Sequence, residues 1–360
     1  MDNRIRTGGL AVLVTAWLVV TAGAGAGVTY GLLSDDATAS GTIRIDVGSS
    51  APPNGDAYND ANGNGRYDEG ETTYAADELA SFYDPSANLV IPETVESIEQ
   101  DQVGITAGSI TYSGKVESES VSLTAKSGDI SVNGAEVESE GSVQLSAPNG
   151  GVSMTDGTVE SESVSVTAKD GDVSMDGTTV ESEGSVQLSA PNNGISIIGA
   201  SVESESISVT AKGEDILADR ATLNSEGAVQ LKAPNDGISI VNGLIESESV
   251  SLTAKGGCIT VDGTAVNAEG DIVLRAPNDP ISMTGAELSA DGSVTLRSNG
   301  DIHANDSSME SGNGAITADL GTTDATLYVD GATIDDGDDA IAYRPNGVRV
   351  VPSDGPATGP

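Results

Sequence analysis

The residues best placed for chemistry lie between Asp60 and Glu71. Side-chain oxygens from Asp60, Asn62, Asn64, Asp68 and Glu71 fall at places one, three, five, nine and twelve, with Gly65 at place six. A hard cation such as Ca²⁺ takes six to eight oxygen ligands, and this spacing supplies them from one curled segment. Asp60, Asn62 and Asn64 alternate so that they converge as the chain turns. Gly65 permits the sharp bend, the Arg66 carbonyl adds a backbone oxygen, and Glu71 closes the set with both carboxylate oxygens. A linker rich in Asp, Asn and Gly would have the same composition, so that reading stands beside the ion site. Residues 49–60 offer no entering helix, whereas a short exiting helix is expected over roughly Tyr74–Tyr83. A lone loop of this kind has a structural role, because it has no helix pair to open.

A second set of carboxylates recurs along the chain. From Val116 two units alternate: VESESVSLTAKSGDISVNGAE at 116–136, then VESEGSVQLSAPNGGVSMTDGT at 137–158. The first type returns at 159–179, 202–222 and 245–265, the second at 180–201, 223–244 and 266–287. Units this short cannot bury an apolar face alone and must stack on one another. Within each unit Val121, Leu123 and Ala125 alternate with Ser122, Thr124 and Lys126. Ile130 and Val132 do the same after a Ser127-Gly128-Asp129 turn, and Val116 begins the remaining side. Period-two alternation broken by turn residues means short, half-buried strands, three to a unit. The expected fold is all-β, a right-handed parallel β-helix (solenoid) of 20–22-residue coils. About eleven coils would give a rod roughly 50 Å long at the strand spacing.

Stacking puts equivalent residues about 4.8 Å apart. Glu117, Glu138, Glu160, Glu181, Glu203 and Glu246 then form one carboxylate column. Glu119, Glu140, Glu162, Glu183, Glu205, Glu226, Glu248 and Glu269 form a second on the same face. Neighbouring like charges at that distance repel by about 1 kcal/mol even in water. The face is therefore either neutralised by diffuse Na⁺ or K⁺, or a stripe that binds divalent cations or a basic surface. Asn224 and Asn267 interrupt the first column, so strict coordination geometry is not required there.

Three resemblances follow. The loop at 60–71 resembles single Ca²⁺ loops of dockerins and other secreted surface modules. The paired S-V-x-L-x-A and G-D-I-S-V segments resemble the haemagglutinin-type repeats of filamentous secreted adhesins, which implies a right-handed β-helix and work at a surface. The chain lacks the amino-terminal secretion domain of those adhesins, so their export route does not carry over. The coils also look like polymer-forming bactofilin β-helices, although those coils are shorter and more aliphatic. Residues Thr29-Tyr30-Gly31-Leu32-Leu33-Ser34-Asp35 and Thr42-Ile43-Arg44-Ile45-Asp46-Val47 resemble the signal region of TasA/CalY-type biofilm-matrix proteins, with Leu33 where those usually have Phe.

Composition narrows the function classes. Fifteen Lys and Arg against 56 Asp and Glu leave a net charge of -41 on 360 residues. Nucleic acid and anionic membranes need a positive face, so neither is an expected partner. The surplus fits molar salt, where the screening length falls to roughly 3 Å, and hence an extreme halophile, or a cation-binding matrix protein. With one Trp, one Phe and eight Tyr, the core must be aliphatic, as a thin solenoid interior allows. Cys258, the single cysteine, replaces the turn residues Asp129, Asp172 and Asp215 of sister units and reads as turn drift. His303, the single histidine, aligns with the outward Ser131, so histidine-based catalysis has little to work with. Asn149, Asn192, Asn235 and Asn278 each follow a proline and read as turn residues. Lys126, Lys169, Lys212 and Lys255 recur where they could offset acidic neighbours.

An enzyme that cleaves acidic polysaccharides is the rival class. Its site would need irregular loops with Arg or Lys beside Asp. The coils are nearly uniform, and Asp335, Asp336, Asp338, Asp339 and Arg344 form the one irregular charged cluster, so no enzymatic activity is expected. Arg4 and Arg6 precede an apolar run from Leu10 to Val20 and an Ala24-Gly25-Ala26 cleavage site, which reads as a signal peptide, or as an anchor if uncleaved. The expected organisation is export signal 1–26, a small amino-terminal module 27–104 with the Ca²⁺-like loop, the β-helix 105–351 and a disordered tail 352–360. The expected function is an extracellular structural or adhesive surface or matrix protein, working with cell-surface or matrix components and with itself. The alternative is a polysaccharide-binding or polysaccharide-cleaving β-helix protein.

Overall fold

A computed structural model describes residues 52, 54–95, 97–335, 341–345, 349–351 and 357–358. The export segment, most of the tail and Asp336, Asp338 and Asp339 lie outside the described residues.

The chain forms an all-β solenoid of about 12 stacked parallel coils, about 22 residues apart. Strands β1 (Ala57–Asn59) and β2 (Thr73–Tyr74) flank the acidic loop and are followed by a one-turn helix α1 (Ala76–Leu79). The solenoid then opens with β3 (Tyr83–Ile91), β4 (Ile98–Tyr112), β5 (Lys115–Ala125), β6 (Ile130–Asn133), β7 (Glu136–Ala147) and β8 (Val152–Thr155). β3 pairs in parallel with β4, so the stack begins at Tyr83, inside the stretch expected to be a separate module. That earlier start accounts for the extra coil. The helix is also shorter than the sequence led us to expect, because Phe82 and Tyr83 are drawn into packing and pairing with the first coils.

Each coil has three sides. β5 and β7 each run along two of them and bend midway, and β6 and β8 form the third. The pairing is like on like: Leu123 sits on Leu145, Val116 on Val137 and Ala125 on Ala107. The inward positions predicted from period two, Val116, Val121, Leu123, Ala125, Ile130 and Val132, are all buried. Alanine recurs at the strand end before a turn, as at Ala147, Ala168, Ala190 and Ala211, each fully buried where two walls converge and a larger side chain would not fit.

The return corner after the third side needs a left-handed residue in nearly every coil. Gly134, Gly177, Gly199, Gly263 and Gly285 supply it, whereas Asp156, Arg220, Asn242 and Asp306 adopt it with a side chain. Asn and Asp tolerate this region and Arg does not readily. Arg220 holds φ 53° and its exposed guanidinium pairs only with half-buried Asp219 at 3.2 Å. Arg220→Gly is therefore expected to stabilise the rod by roughly 1 kcal/mol, read as a rise in Tm. A lower Tm would mean that the ion pair matters more than the backbone.

A turn substitution is explained by the same stacking. Asp129, Asp172 and Asp215 each accept, through Oδ1, the N–H of a glycine in the next coil: Gly151 at 2.7 Å, Gly194 at 3.0 Å and Gly237 at 2.7 Å. At the fourth step that glycine is replaced by Pro280, which has no N–H. Cys258 stands where an aspartate acceptor would have nothing to accept.

Candidate functional site

The long strands bend at the Glu-Ser-Glu triplets. The middle serine turns inward and the flanking glutamates turn out, so the bend makes a concave corner with carboxylates on both lips. Stacked, these corners form a groove of about 1220 Å³ lined by the triplets from Glu99-Gln100-Asp101 through Glu203-Ser204-Glu205, ending at Asn224 and Glu226. The first column is a register ladder: Glu99 on Glu117, Glu117 on Glu138, Glu138 on Glu160, Glu160 on Glu181 and Glu181 on Glu203. Asn224 and Asn267 take their predicted places beside Glu246. Sequence reasoning missed Glu99 and Asp101. The signal was present in IEQDQV at 98–103, which matches VESESV once Gln is accepted for Ser.

The second column sits at the point where alternate coils differ. Every register shift in these ladders falls at the acidic corner, between Ser118 and Val121 in one coil and Ser182 and Val186 in another. The extra residue of the longer units is thus the glycine of Glu-Ser-Glu-Gly. The buried serines answer by alternating their acceptors. In the shorter coils Ser161 and Ser204 donate to the carbonyls of their own Ser163 and Ser206, at 3.1 and 3.0 Å. In the longer coils Ser139, Ser182 and Ser225 reach across to the carbonyls of Glu119, Glu162 and Glu205, at 3.0, 2.9 and 2.9 Å. The glycine is required by a close approach. A Cβ on Gly184 would lie 2.8 Å from the Glu162 carbonyl oxygen, and one on Gly141 2.6 Å from that of Glu119. Gly184→Ala should cost about 1–3 kcal/mol through forced displacement of the corner. Thermal melts of the pair Gly184→Ala and Ser185→Ala would separate this from a mere surface change.

One cation already sits in the column. The Lys115 ammonium lies 2.8 Å from Glu117, 3.1 Å from Glu136 and 3.2 Å from Glu138. Hydrogen bonds to these carboxylates, Glu117 first, raise the Lys115 pKa, and the bond from Lys115 holds the Glu136 carboxyl below its ordinary range. Among the described residues the remaining ion pairs are Arg220–Asp219 and Arg344–Asp319. Lys126, Lys169, Lys212 and Lys255 thus form no ion pair there. The recurring asparagines brace the turns instead: Asn149 Nδ2 donates to the Lys126 carbonyl at 2.6 Å, and Asn192 Nδ2 to Asp170 at 2.8 Å. His303 faces outward and stacks on Tyr328 of the next coil, ring centroids 4.4 Å apart. Asp335 and Arg344 belong to strands Thr333–Asp335 and Ile341–Arg344, and Arg344 pairs with Asp319 at 3.1 Å.

The loop at 60–71 connects β1 to β2 and is entered from a strand. Asp60 is 4% exposed, and its two carboxylate oxygens accept the N–H groups of Asn64 at 3.1 Å and Gly65 at 2.7 Å. Asn62 Oδ1 accepts from the Asn64 N–H at 3.0 Å and Asn64 Oδ1 from the Arg66 N–H at 2.8 Å. The side-chain amides of Asn62 and Asn64 both donate to one Asp68 oxygen, at 2.6 Å each. Glu71 closes the turn by accepting the N–H groups of Ala61 and Asp68, at 3.0 Å each. All six predicted residues therefore lie in one curled loop.

The carboxylates also act on a common spot. Tyr58 is buried and edge-on to Tyr67, with centroids 5.7 Å apart. Its pKa is pushed up to about 12, first by burial and then by the charges of Asp60, Glu71 and Asp68. A cation would offset the negative charge that these three carboxylates bring to bear there. The donor set is all oxygen, which suits Ca²⁺. Among the described residues no three Asp, Glu, His or Cys side chains gather into a metal-holding group by themselves, so a site here depends on the two asparagines turning oxygen inward.

No family model matches this chain, and no curated protein or solved structure matches it either.

Proposed function

We propose that this chain is an extracellular structural or adhesive rod of a cell surface or matrix, and that its carboxylate groove engages cations or a basic partner surface. The observation that carries this reading is the groove itself: paired carboxylates repeat coil after coil from Glu99 and Asp101 to Glu203 and Glu205 without an inserted loop. A uniform stripe suits an extended, multivalent contact better than one reaction centre, since a catalytic site needs a distinct constellation at one place. Lys115, beside the groove, supports the same reading, because its ammonium is held by Glu117 and Glu138 of the first column together with Glu136. The loop at 60–71 adds a structural Ca²⁺ site held by Asp60, Asn62, Asn64, Asp68, Glu71 and the Arg66 carbonyl. The acidity belongs to a high-salt setting, where screening lets such a stripe exist.

The test is retention of the full chain on immobilised poly-lysine and on an uncharged polysaccharide, across a salt series. Retention on poly-lysine should fall steeply with salt, and a Glu160→Gln, Glu181→Gln, Glu203→Gln variant should elute at lower salt than a variant with three carboxylates neutralised outside the groove. Equal retention of the two variants would remove the groove from the argument. Release of sugar fragments from an acidic polysaccharide would replace the rod reading with the enzymatic one.

A further inference from the structure

Strand β1 carries the acidic loop at one end and lies along the first solenoid strand. It pairs antiparallel with both β2 and β3, with Tyr58 opposite Val90 and Asn59 opposite Leu89. Every other strand pairing among the described residues is parallel, from β3 on β4 onward. The reversal closes the outer edge of β3 at Leu89 and Val90, where it is taken by a strand that runs the wrong way to continue the coil. Without β1 that edge would present unpaired N–H and C=O groups.

Asp60 joins the loop to this edge. Its N–H donates to the Asn88 carbonyl at 2.8 Å, and its own carbonyl accepts Asn88 Nδ2 at 3.2 Å. Asn88 in turn donates its N–H to Asn59 Oδ1 at 2.9 Å and accepts Ser109 Oγ from β4 at 3.0 Å. The Asp60 carboxylate meanwhile holds the Asn64 and Gly65 N–H groups of the loop. One residue thus ties the loop's curvature to the first coil, and through Asn88 and Ser109 to the second. Apolar contacts seat the same unit, since Ala57, Leu79 and Phe82 pack into the cluster that contains Ala87, Leu89 and Ile105.

We propose that residues 57–82 form a cap on the first coil, and that a divalent cation bound at the loop latches it shut. The proposal rests on the Ca²⁺ reading of the loop and adds what the ion controls. Asp60 can offer its carboxylate to the ion only while its backbone stands where β1 and Asn88 hold it. An ion that binds the closed cap and not the open one shifts the equilibrium toward closure in step with its free concentration over Kd, about a hundredfold at one hundred times Kd. The remainder of the rod contains no part of the loop and stays as it is.

Hydrogen exchange on the full chain tests this in about 1 M KCl, with Ca²⁺ or with a chelator, so that general screening is constant. The expected result is at least a tenfold slowing by Ca²⁺ at the N–H groups of Asn59, Asp60 and Asn88, with coils 137–268 unchanged. Glu71→Gln should abolish the slowing while exchange in those coils shows the rod intact. Asn88→Ala should weaken Ca²⁺ binding in titration calorimetry although it contributes no ligand. If calorimetry detects Ca²⁺ binding but the three N–H groups exchange at the same rate with and without it, the latch is wrong and the ion site stands. If no binding heat appears, both fall.

Discussion

At low ionic strength the rod should lose its cooperative β structure, and about 1 M KCl should restore it, as read by circular dichroism during thermal unfolding. Each Glu-on-Glu step of the column places like charges about 4.8 Å apart, a repulsion of about 1 kcal/mol at the dielectric of water. Consecutive steps run from Glu99 to Glu203 in the first column, with a second column beside it. Several such steps are comparable with the whole stability of a domain, ~5–15 kcal/mol. At 1 M salt the screening length is about 3 Å, which leaves about a fifth of each repulsion. The Glu160→Gln, Glu181→Gln, Glu203→Gln variant should therefore melt higher than the parent in low salt and nearly the same in high salt. Millimolar Ca²⁺ separates two origins of the effect. If it rescues the fold where KCl of equal ionic strength does not, divalent ions are structural. If only molar salt rescues it, diffuse screening is sufficient and a specific stripe is excluded.

Truncation in the stack should be the most damaging single change. Leu231 is fully buried between Val209 and Leu252 of the adjacent coils. Leu231→Ala removes about 3 kcal/mol by the combined loss of transfer energy and the cavity left behind. Gln230→Ala, on the neighbouring outward position, should stay within about 0.5 kcal/mol. Because each coil touches only its neighbours, the loss stays local. Urea unfolding of Leu231→Ala should split into two transitions, with exchange fastest in the substituted strand and in the strands of Val209 and Leu252 on either side of it. A single undivided transition would show that cooperativity extends across the rod.

Much of this architecture could be read from the chain. Alternation at Val121, Leu123 and Ala125, and at Ile130 and Val132, specifies inward faces because a strand turns over every second residue. The carboxylate columns then follow from unit length alone. The start of the stack was harder to see, because β3 and β4 precede the first good copy and Gln replaces Ser in IEQDQV. The role of β1 was illegible for a different reason. Three residues carry no period, and only their antiparallel register on β3 reveals a cap. Cys258 looked like drift because its explanation, Pro280, lies one coil away. The curl of the acidic loop could be expected from the chain, since the spacing of its oxygens and Gly65 is local, but its attachment to the solenoid through Asn88 depends on tertiary pairing.

The alternation at the acidic corner restricts how such a rod can lengthen over generations. Within the array from 116 to 265 each long corner with its glycine sits on a short one, since Ser182 reaches for the Glu162 carbonyl and Gly184 leaves room for it. The aspartate turns impose the same order, because Asp172 must face the Gly194 N–H and not another aspartate. Duplicating or deleting one coil would set like against like at both corners. Copying two together preserves every contact, so the gene should gain or lose coding sequence in two-coil cassettes. Rods of this type would then differ in length by multiples of about 9.6 Å.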